Sequence, residues 1–331
     1  AASDVYKRQG LMPEGVLQLE ELGVAIATHE RHPFVGIRYL DGNVVAEGEF
    51  PDGAGLGIRR PVLHRALVER ATALGADLRW GVTAQGLTTA GVATAEDEVT
   101  ARWVVGADGR SSRVRRWAGL EGRTPRAGRF GVRRHFKLPP WTDRVEVYWG
   151  EGCEAYVTPV APEMVGVALM WGERGVGFDD VLARLPALEE RVGGAPVASR
   201  DARAGPFGSR ARRVDRGRVM LIGDAAWCLD PITGEGVALA LQSAEALVES
   251  IVVDDLDHYR TTQRRLTRAA ARVNALVLLL EQSPRLRARV MAGLASRPDL
   301  FGRFLAARRR PATAAAGAVA RLGWQLLAVA R

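Results

Sequence analysis

Residues 218–236 read RVMLIGDAAWCLDPITGEG, and this stretch decides the fold. Val219-Met220-Leu221-Ile222 is a short apolar run of the kind buried in a parallel sheet. Gly223 lets the chain turn closely at its end. Asp224 then stands at the strand's carboxyl end, where open α/β sheets bind ligands, and its carboxylate can accept hydrogen bonds from a polyol. Thr233, Gly234, Glu235 and Gly236 lead into a helix expected from about Glu235 to Val252. Its free N–H groups and positive dipole end suit a delocalised anion. Taken alone, the pattern is equally that of an ordinary strand–loop–helix with glycines for packing.

Working outward, Asp77 to Thr83 and Val99 to Val105 are expected strands, the second running straight into GADGRSSRVR at 106–115. Pro61 to Leu74, with proline at its start and Gly75 at its end, is an expected helix. Leu11 to Gly23 has the spacing of a short helix, and Arg38 to Phe50 alternates around Asp41-Gly42, a hairpin signal. After Gly119 the composition changes. Phe130 to Leu138, Arg144 to Trp149, Ala155 to Val160 and Val165 to Trp171 follow as closely spaced strands, with a turn at Pro162 to Met164, which predicts an antiparallel sheet. Phe178 to Val192 is an expected helix. The βα pieces before Gly119 and after Gly205 therefore flank an antiparallel insert. The expected class is α/β, α+β overall: a Rossmann-like domain interrupted by a second, antiparallel-sheet domain, followed by C-terminal helices. The expected divisions are a non-native or disordered leader (1–9), the first part of the nucleotide-binding domain (10–119), the insert (120–205), its second part (206–252) and basic helices (253–331).

The 331 residues can bury a large core. Cys153 and Cys228 form no metal or disulfide pattern, and reduced thiols in a cytoplasmic enzyme are expected. No apolar run approaches the roughly 18 residues of a membrane span, and no signal-peptide order is visible. The net charge is +8, and Lys7 and Lys137 are the only lysines. No nucleic-acid-binding motif accompanies this surplus. Arg260 to Arg310 carries thirteen arginines against Glu281 and Asp299, a surplus larger than that of the whole chain, so the charge belongs to the C-terminal region. There Leu286, Val290, Leu294, Leu300, Phe301, Phe304 and Leu305 sit at helical spacing between arginines. This is an amphipathic basic pattern that fits either helices packed on the fold or peripheral docking to an anionic membrane or an acidic carrier protein.

Gly223-Asp224-Ala225-Ala226, with Pro231 and Gly234-x-Gly236 downstream, resembles the Gly-Asp motif of the FAD-dependent hydroxylase superfamily. Asp108-Gly109-x-x-Ser112-x-Val114-Arg115 resembles that superfamily's second fingerprint, in the expected order and about a hundred residues upstream. Arg60-Pro-Val-Leu63 resembles the helix start whose Arg or Gln reaches the ribityl and phosphate portion of the flavin, although a helix with a solvated arginine is an alternative. By this resemblance Asp224 binds the ribityl chain, Pro231, Gly234 and Gly236 line the isoalloxazine ring, and Gly223 and Glu235 of the same motif are counted among the cofactor-binding residues. Asp108 and Gly109 lie near the FAD pyrophosphate and help place a nicotinamide donor, NAD(P)H. Ser112 and Arg115 support that loop, although a surface arginine is an alternative for Arg115. No catalytic acid or base is assigned.

The chain also departs from the pattern. The superfamily's opening strand and Gly-x-Gly-x-x-Gly turn are not found; Gly53-Ala-Gly55-Leu-Gly57 has the wrong spacing. An N-terminally truncated sequence with poor FAD binding is the expectation. Trp227 stands where aromatic hydroxylases usually have histidine, and Ala238 and Ser243 where they have Asn and Asp. Thr233-Gly-Glu-Gly236 resembles the prenyl-reductase and halogenase-like branches, but the halogenases' Trp-x-Trp-x-Ile-Pro is absent. Trp227 and Cys228 either abut the flavin or fill the loop's apolar underside. His135, Tyr148, Trp149, Tyr156 and Trp171 lie on the insert's strands, where alternation sends some of them to one face, as pocket lining or as core. The resemblance implies an NAD(P)H-dependent monooxygenase acting on an apolar or aromatic small molecule. The alternatives are a prenyl or polyene double-bond reductase and a non-catalytic remnant without flavin.

Overall fold

The computed structural model describes residues 9–122 and 128–307. The expected leader up to residue 8, Arg308 to Arg310 and the alanine-rich tail from Ala312 lie outside the described residues. The chain first forms β1 (Gly10–Leu11), α1 (Pro13–Glu21), β2 (Arg31–Phe34), β3 (Gly36–Asp41), β4 (Val44–Glu49), β5 (Gly55–Ile58) and α2 (Arg60–Ala73). Next come β6 (Gly86–Leu87), β7 (Gly91–Ala93), β8 (Glu98–Thr100), β9 (Val104–Gly106) and α3 (Arg113–Trp117). The middle of the chain forms β10 (Phe130–Phe136), β11 (Arg144–Gly150), β12 (Cys153–Ala161), β13 (Met164–Trp171), α4 (Phe178–Leu182), α5 (Pro186–Val192) and β14 (Ala202–Ala204). Last come β15 (Asp215–Arg216), β16 (Val219–Leu221), α6 (Gly223–Ala226), α7 (Gly236–Val252), α8 (Leu256–Gln282), α9 (Pro284–Ser296) and α10 (Pro298–Ala307).

Most expected elements form near their expected bounds. α2 starts at proline and ends where Gly75 takes φ +82°, a conformation that costs glycine little. Three expectations fail. Asp77 to Thr83 is not a strand: it finds no partner strand, Gly81 turns at φ +77°, and Trp80 stays exposed. Val99 to Val105 is not one strand but two. Val99 pairs in the β6–β7–β8 meander, and Val104 begins a different sheet. Phe178 to Val192 is two helices, because Pro186 cannot continue the first.

A large sheet runs in the order β14-β10-β13-β12-β11-β3-β4. It is antiparallel except where β11 pairs parallel to β3. The hairpin β3–β4 comes from the segment before Gly119, so the sheet is not built from the 120–205 insert alone. One face carries Val132, Phe136, Tyr148, Val157, Leu169 and Trp171 against α4 and α5. The other carries Ile37, Tyr39, Val147, Trp149, Tyr156 and Met170 toward α8, α9, α10 and Ile232. The apolar stripe of α9 and α10 is spent there: Met291, Leu294, Leu300, Phe301 and Leu305 are all buried, each contributing roughly 1.5–3 kcal/mol. A Cβ on Gly48 would come within 2.7 Å of the Phe301 ring, so β4 needs glycine where α10 crosses it.

The small sheet β15-β16-β9 positions the site. β16 runs parallel to β9, with Val219 opposite Val104, Met220 opposite Val105 and Leu221 opposite Gly106. A Cβ on Gly106 would meet Leu221 and Val114 at 2.8–2.9 Å, which explains glycine at the end of this strand.

Candidate flavin site

The two sequence motifs meet side by side. The Ile222 N–H donates to the Gly106 carbonyl at 3.0 Å, continuing the β9–β16 ladder into both turns. Arg115, 7 % exposed, is no surface arginine. Its Nη1 donates to the Ala225 carbonyl and its Nη2 to the Arg110 carbonyl, both at 2.7 Å, so one guanidinium ties the first loop to the second. Ser112 caps α3, its Oγ accepting from the Arg115 N–H at 2.9 Å. Asp108 braces the same turn. Its Oδ1 accepts from the Ser112 hydroxyl at 2.5 Å, and its Oδ2 from the N–H groups of Arg113 and Val114 at 2.7 and 3.1 Å. Both Asp108 oxygens thus hold the loop's own donors. Gly109 takes φ +77° between them.

At the carboxyl end of β16, Gly223 turns with φ +53° into the short α6. Asp230 caps the 3₁₀ turn Pro231–Thr233 by accepting from the Ile232 N–H at 3.1 Å. Gly234 ends that turn at φ +73° and passes the chain to α7. Asn274 of α8 clamps the loop from outside, its Nδ2 donating to the Asp230 carbonyl at 2.6 Å.

Seven of the eleven residues proposed from sequence line one recess: Arg60, Gly223, Asp224, Pro231, Gly234, Glu235 and Gly236. Asp108, Gly109, Ser112 and Arg115 do not line it; they hold the neighbouring turn. The recess is partly open and has a volume of about 70 Å³. Among the described residues a Cβ on Gly236 would meet nothing within 4 Å, so this glycine leaves space at the start of α7. A carboxylate, helix-start N–H groups and that free space together fit the ribityl and ring portion of FAD.

Sequence reasoning missed several walls. Phe207, Asp230, Gln263 and Thr267 also line the recess. Gln263 and Thr267 lie one helical turn apart on α8 and are buried, a polar pair on a helix read only for its arginines. Also missed was Arg129, which joins the large sheet to the loop by pairing with fully buried Glu154 at 2.5 Å and Asp230 at 3.6 Å. Trp227 and Cys228 both line the recess, and Arg210 stacks on the Trp227 ring at 4.5 Å.

The insert's aromatics divide between faces. Trp149 and Tyr156 belong to the core on the Ile232 side, Tyr148 and Trp171 to the opposite one. The Tyr148 hydroxyl donates to the buried Glu146 carboxylate at 2.7 Å. His135 is 1 % exposed, held between Gln9, Ser199 and Arg133. Burial, then the nearby Arg133 and Arg59 cations, push its pKa down to about 3.

Among curated relatives, ubiquinone hydroxylase UbiL of Rhodospirillum rubrum is 30% identical over 252 residues, 67% of this chain and 56% of the relative. Digeranylgeranylglycerophospholipid reductase 2 of Methanococcoides burtonii is 27% identical over 233 residues, 62% of this chain and 55% of the relative. The chain therefore spans a little over half the length of these relatives. Among solved structures, a flavoprotein/dehydrogenase from Cytophaga hutchinsonii superposes with TM-score 0.77 at 16% identity, covering 89% of this chain and 81% of its own. The flavin-dependent brominase Bmp2 superposes with TM-score 0.72 at 17% identity, covering 88% and 84%. At these identities the likeness is one of fold. The FAD binding domain family matches residues 40–169 and 179–254, more than half of the chain and both motif loops. The chain belongs to the FAD binding domain family.

Proposed function

We propose that the protein is an FAD-dependent oxidoreductase, reduced by NAD(P)H, that monooxygenates an apolar or aromatic small molecule. The observation that carries this reading is the convergence of seven sequence-proposed residues on one recess at the carboxyl end of β16. Bound FAD would supply the two-electron redox chemistry and the activation of dioxygen. The chain's own residues bind and orient. Asp224 is the acceptor for ribityl hydroxyls, and the α7 N-terminus offers N–H groups and a positive dipole end to an electron-rich ring edge. Phe207, Trp227 and Leu229 supply apolar wall to the recess.

The resemblance of Thr233-Gly-Glu-Gly236 to prenyl reductases, with the phospholipid-reductase relative, favours a second reading: saturation of a prenyl double bond. Titrating FAD into the protein and into Asp224→Ala tests the cofactor; no saturable, Asp224-dependent binding would leave the non-catalytic remnant. NAD(P)H oxidation with substrate-dependent oxygen uptake marks the monooxygenase. Anaerobic loss of a substrate double bond marks the reductase.

Among the described residues no helix is long and apolar enough to cross a membrane. Because the α9–α10 apolar stripe is buried, contact with an anionic membrane or carrier would be made by exposed arginines such as Arg285, Arg289 and Arg303. Vesicle binding that rises with anionic lipid and falls with salt tests this contact.

A further inference from the structure

Trp227 also lines a second cavity, of about 330 Å³. Five arginines line it: Arg210, Arg212, Arg213, Arg260 and Arg264. The one carboxylate in its wall, Asp215, is 3 % exposed and already committed, accepting from Arg260 at 3.0 and 2.6 Å. Arg260 also bonds Asp257 at 2.6 Å, so each of its three nitrogens already has a carboxylate partner. Among the described residues, Arg210, Arg212, Arg213 and Arg264 have no carboxylate partner. The recess and the cavity share the wall residues Trp227, Gln263 and Thr267. Within that wall Gln263 is 4 % exposed, and among the described residues its Oε1 has no hydrogen-bond partner.

A buried carboxamide with an unmet oxygen points to a missing ligand. The oxygen is an acceptor, so it would reach an anion through a bridging water or a ligand hydroxyl. Four guanidinium groups around one concavity suit tetrahedral phosphate oxygens, which take parallel N–H donors from the planar fork. The cavity holds roughly ten waters' worth of volume, ample for a diphosphate.

We propose that this cavity is a binding site for a phosphate ester or diphosphate, which it anchors beside Trp227 while the remainder of the molecule reaches the flavin side. The phosphate belongs either to the nicotinamide donor or to a phosphorylated substrate. The use of the anchor in a reaction rests on the proposed function; phosphate binding itself does not.

The test is calorimetric titration of inorganic pyrophosphate at low and physiological salt. Saturable one-site binding is expected. Arg212→Ala/Arg213→Ala should weaken it at least tenfold and Gln263→Leu several-fold. Arg289→Ala/Arg303→Ala, on the exposed side of α9 and α10, should change it less than twofold. Absence of saturable binding, or equal losses from both arginine pairs, overturns the proposal, because diffuse polyanion attraction would then explain it. Displacement by NADPH assigns the phosphate to the donor. Displacement by an isoprenyl diphosphate, but not by the free prenol, assigns it to the substrate. Failure of both to displace pyrophosphate also overturns the site. Asp224→Ala should abolish flavin binding and spare pyrophosphate binding, so the flavin reading and this one fail separately.

Discussion

Gly236→Ala separates the flavin site from the fold. Gly236 opens α7, has ordinary backbone geometry, and among the described residues its added Cβ would meet no atom within 4 Å beyond its own chain neighbours and helix backbone. The methyl therefore strains nothing in the protein, and alanine is the better helix former by up to about 1 kcal/mol. Stability should stay level or rise by about 0.5 kcal/mol. Gly236 lines the recess together with Asp224, Pro231 and Gly234, and a flavin seated against it would have to shift for the methyl. Overfilling a close-packed contact costs about 1–3 kcal/mol, so FAD affinity should fall about 5- to 150-fold. Urea denaturation and FAD fluorescence titration measure the two quantities on one preparation. Unchanged FAD affinity with unchanged stability would refute the placement of the cofactor. A large stability loss would refute the claim that the space is free.

Arg115→Ala should cost about 2–4 kcal/mol of stability, because one buried and one partly buried carbonyl lose their donor. Its exposed neighbour Arg116, paired loosely with Glu121 at 3.4 Å, should tolerate Ala within about 0.5 kcal/mol; similar losses at both positions would disprove the tie between the motifs. His135, ordinarily near 6.5 when unfolded, has its folded pKa pushed down to about 3. The unfolded chain alone therefore takes up the proton below pH 6.5. Stability from this group is complete above pH 6.5 and lost as pH falls toward 3, by about 3–5 kcal/mol. His135→Gln should flatten that acid slope in denaturation curves; parallel slopes would count against it. Burial raises the Cys153 thiol to about 11 and leaves it unexposed. Maleimide at pH 8 should label Cys153 only after denaturation, as read by mass spectrometry, and prompt native labelling would show that it is accessible.

Local rules made much of this protein legible from its residues. Val219 to Ile222 announces a buried strand, Gly223 and Gly234 announce turns, and alternation from Phe130 to Trp171 announces the antiparallel strands. Each depends on sterics or periodicity within a few residues. Tertiary structure decided which strands become neighbours and which side chains share a wall. Val99 and Val104 read as one strand yet join different sheets, because their partners lie in different parts of the chain. The parallel pairing of β3 with β11 draws an N-terminal hairpin into the large sheet across about a hundred residues. Arg115 looks like any surface arginine until the Ala225 carbonyl, 110 positions away, arrives to bury it. Gln263 and Arg212 become parts of one cavity only when α8 packs beside the β15 edge. Residue identity sets what a group can do over one or two turns of chain. The free energy of long-range packing sets what it meets.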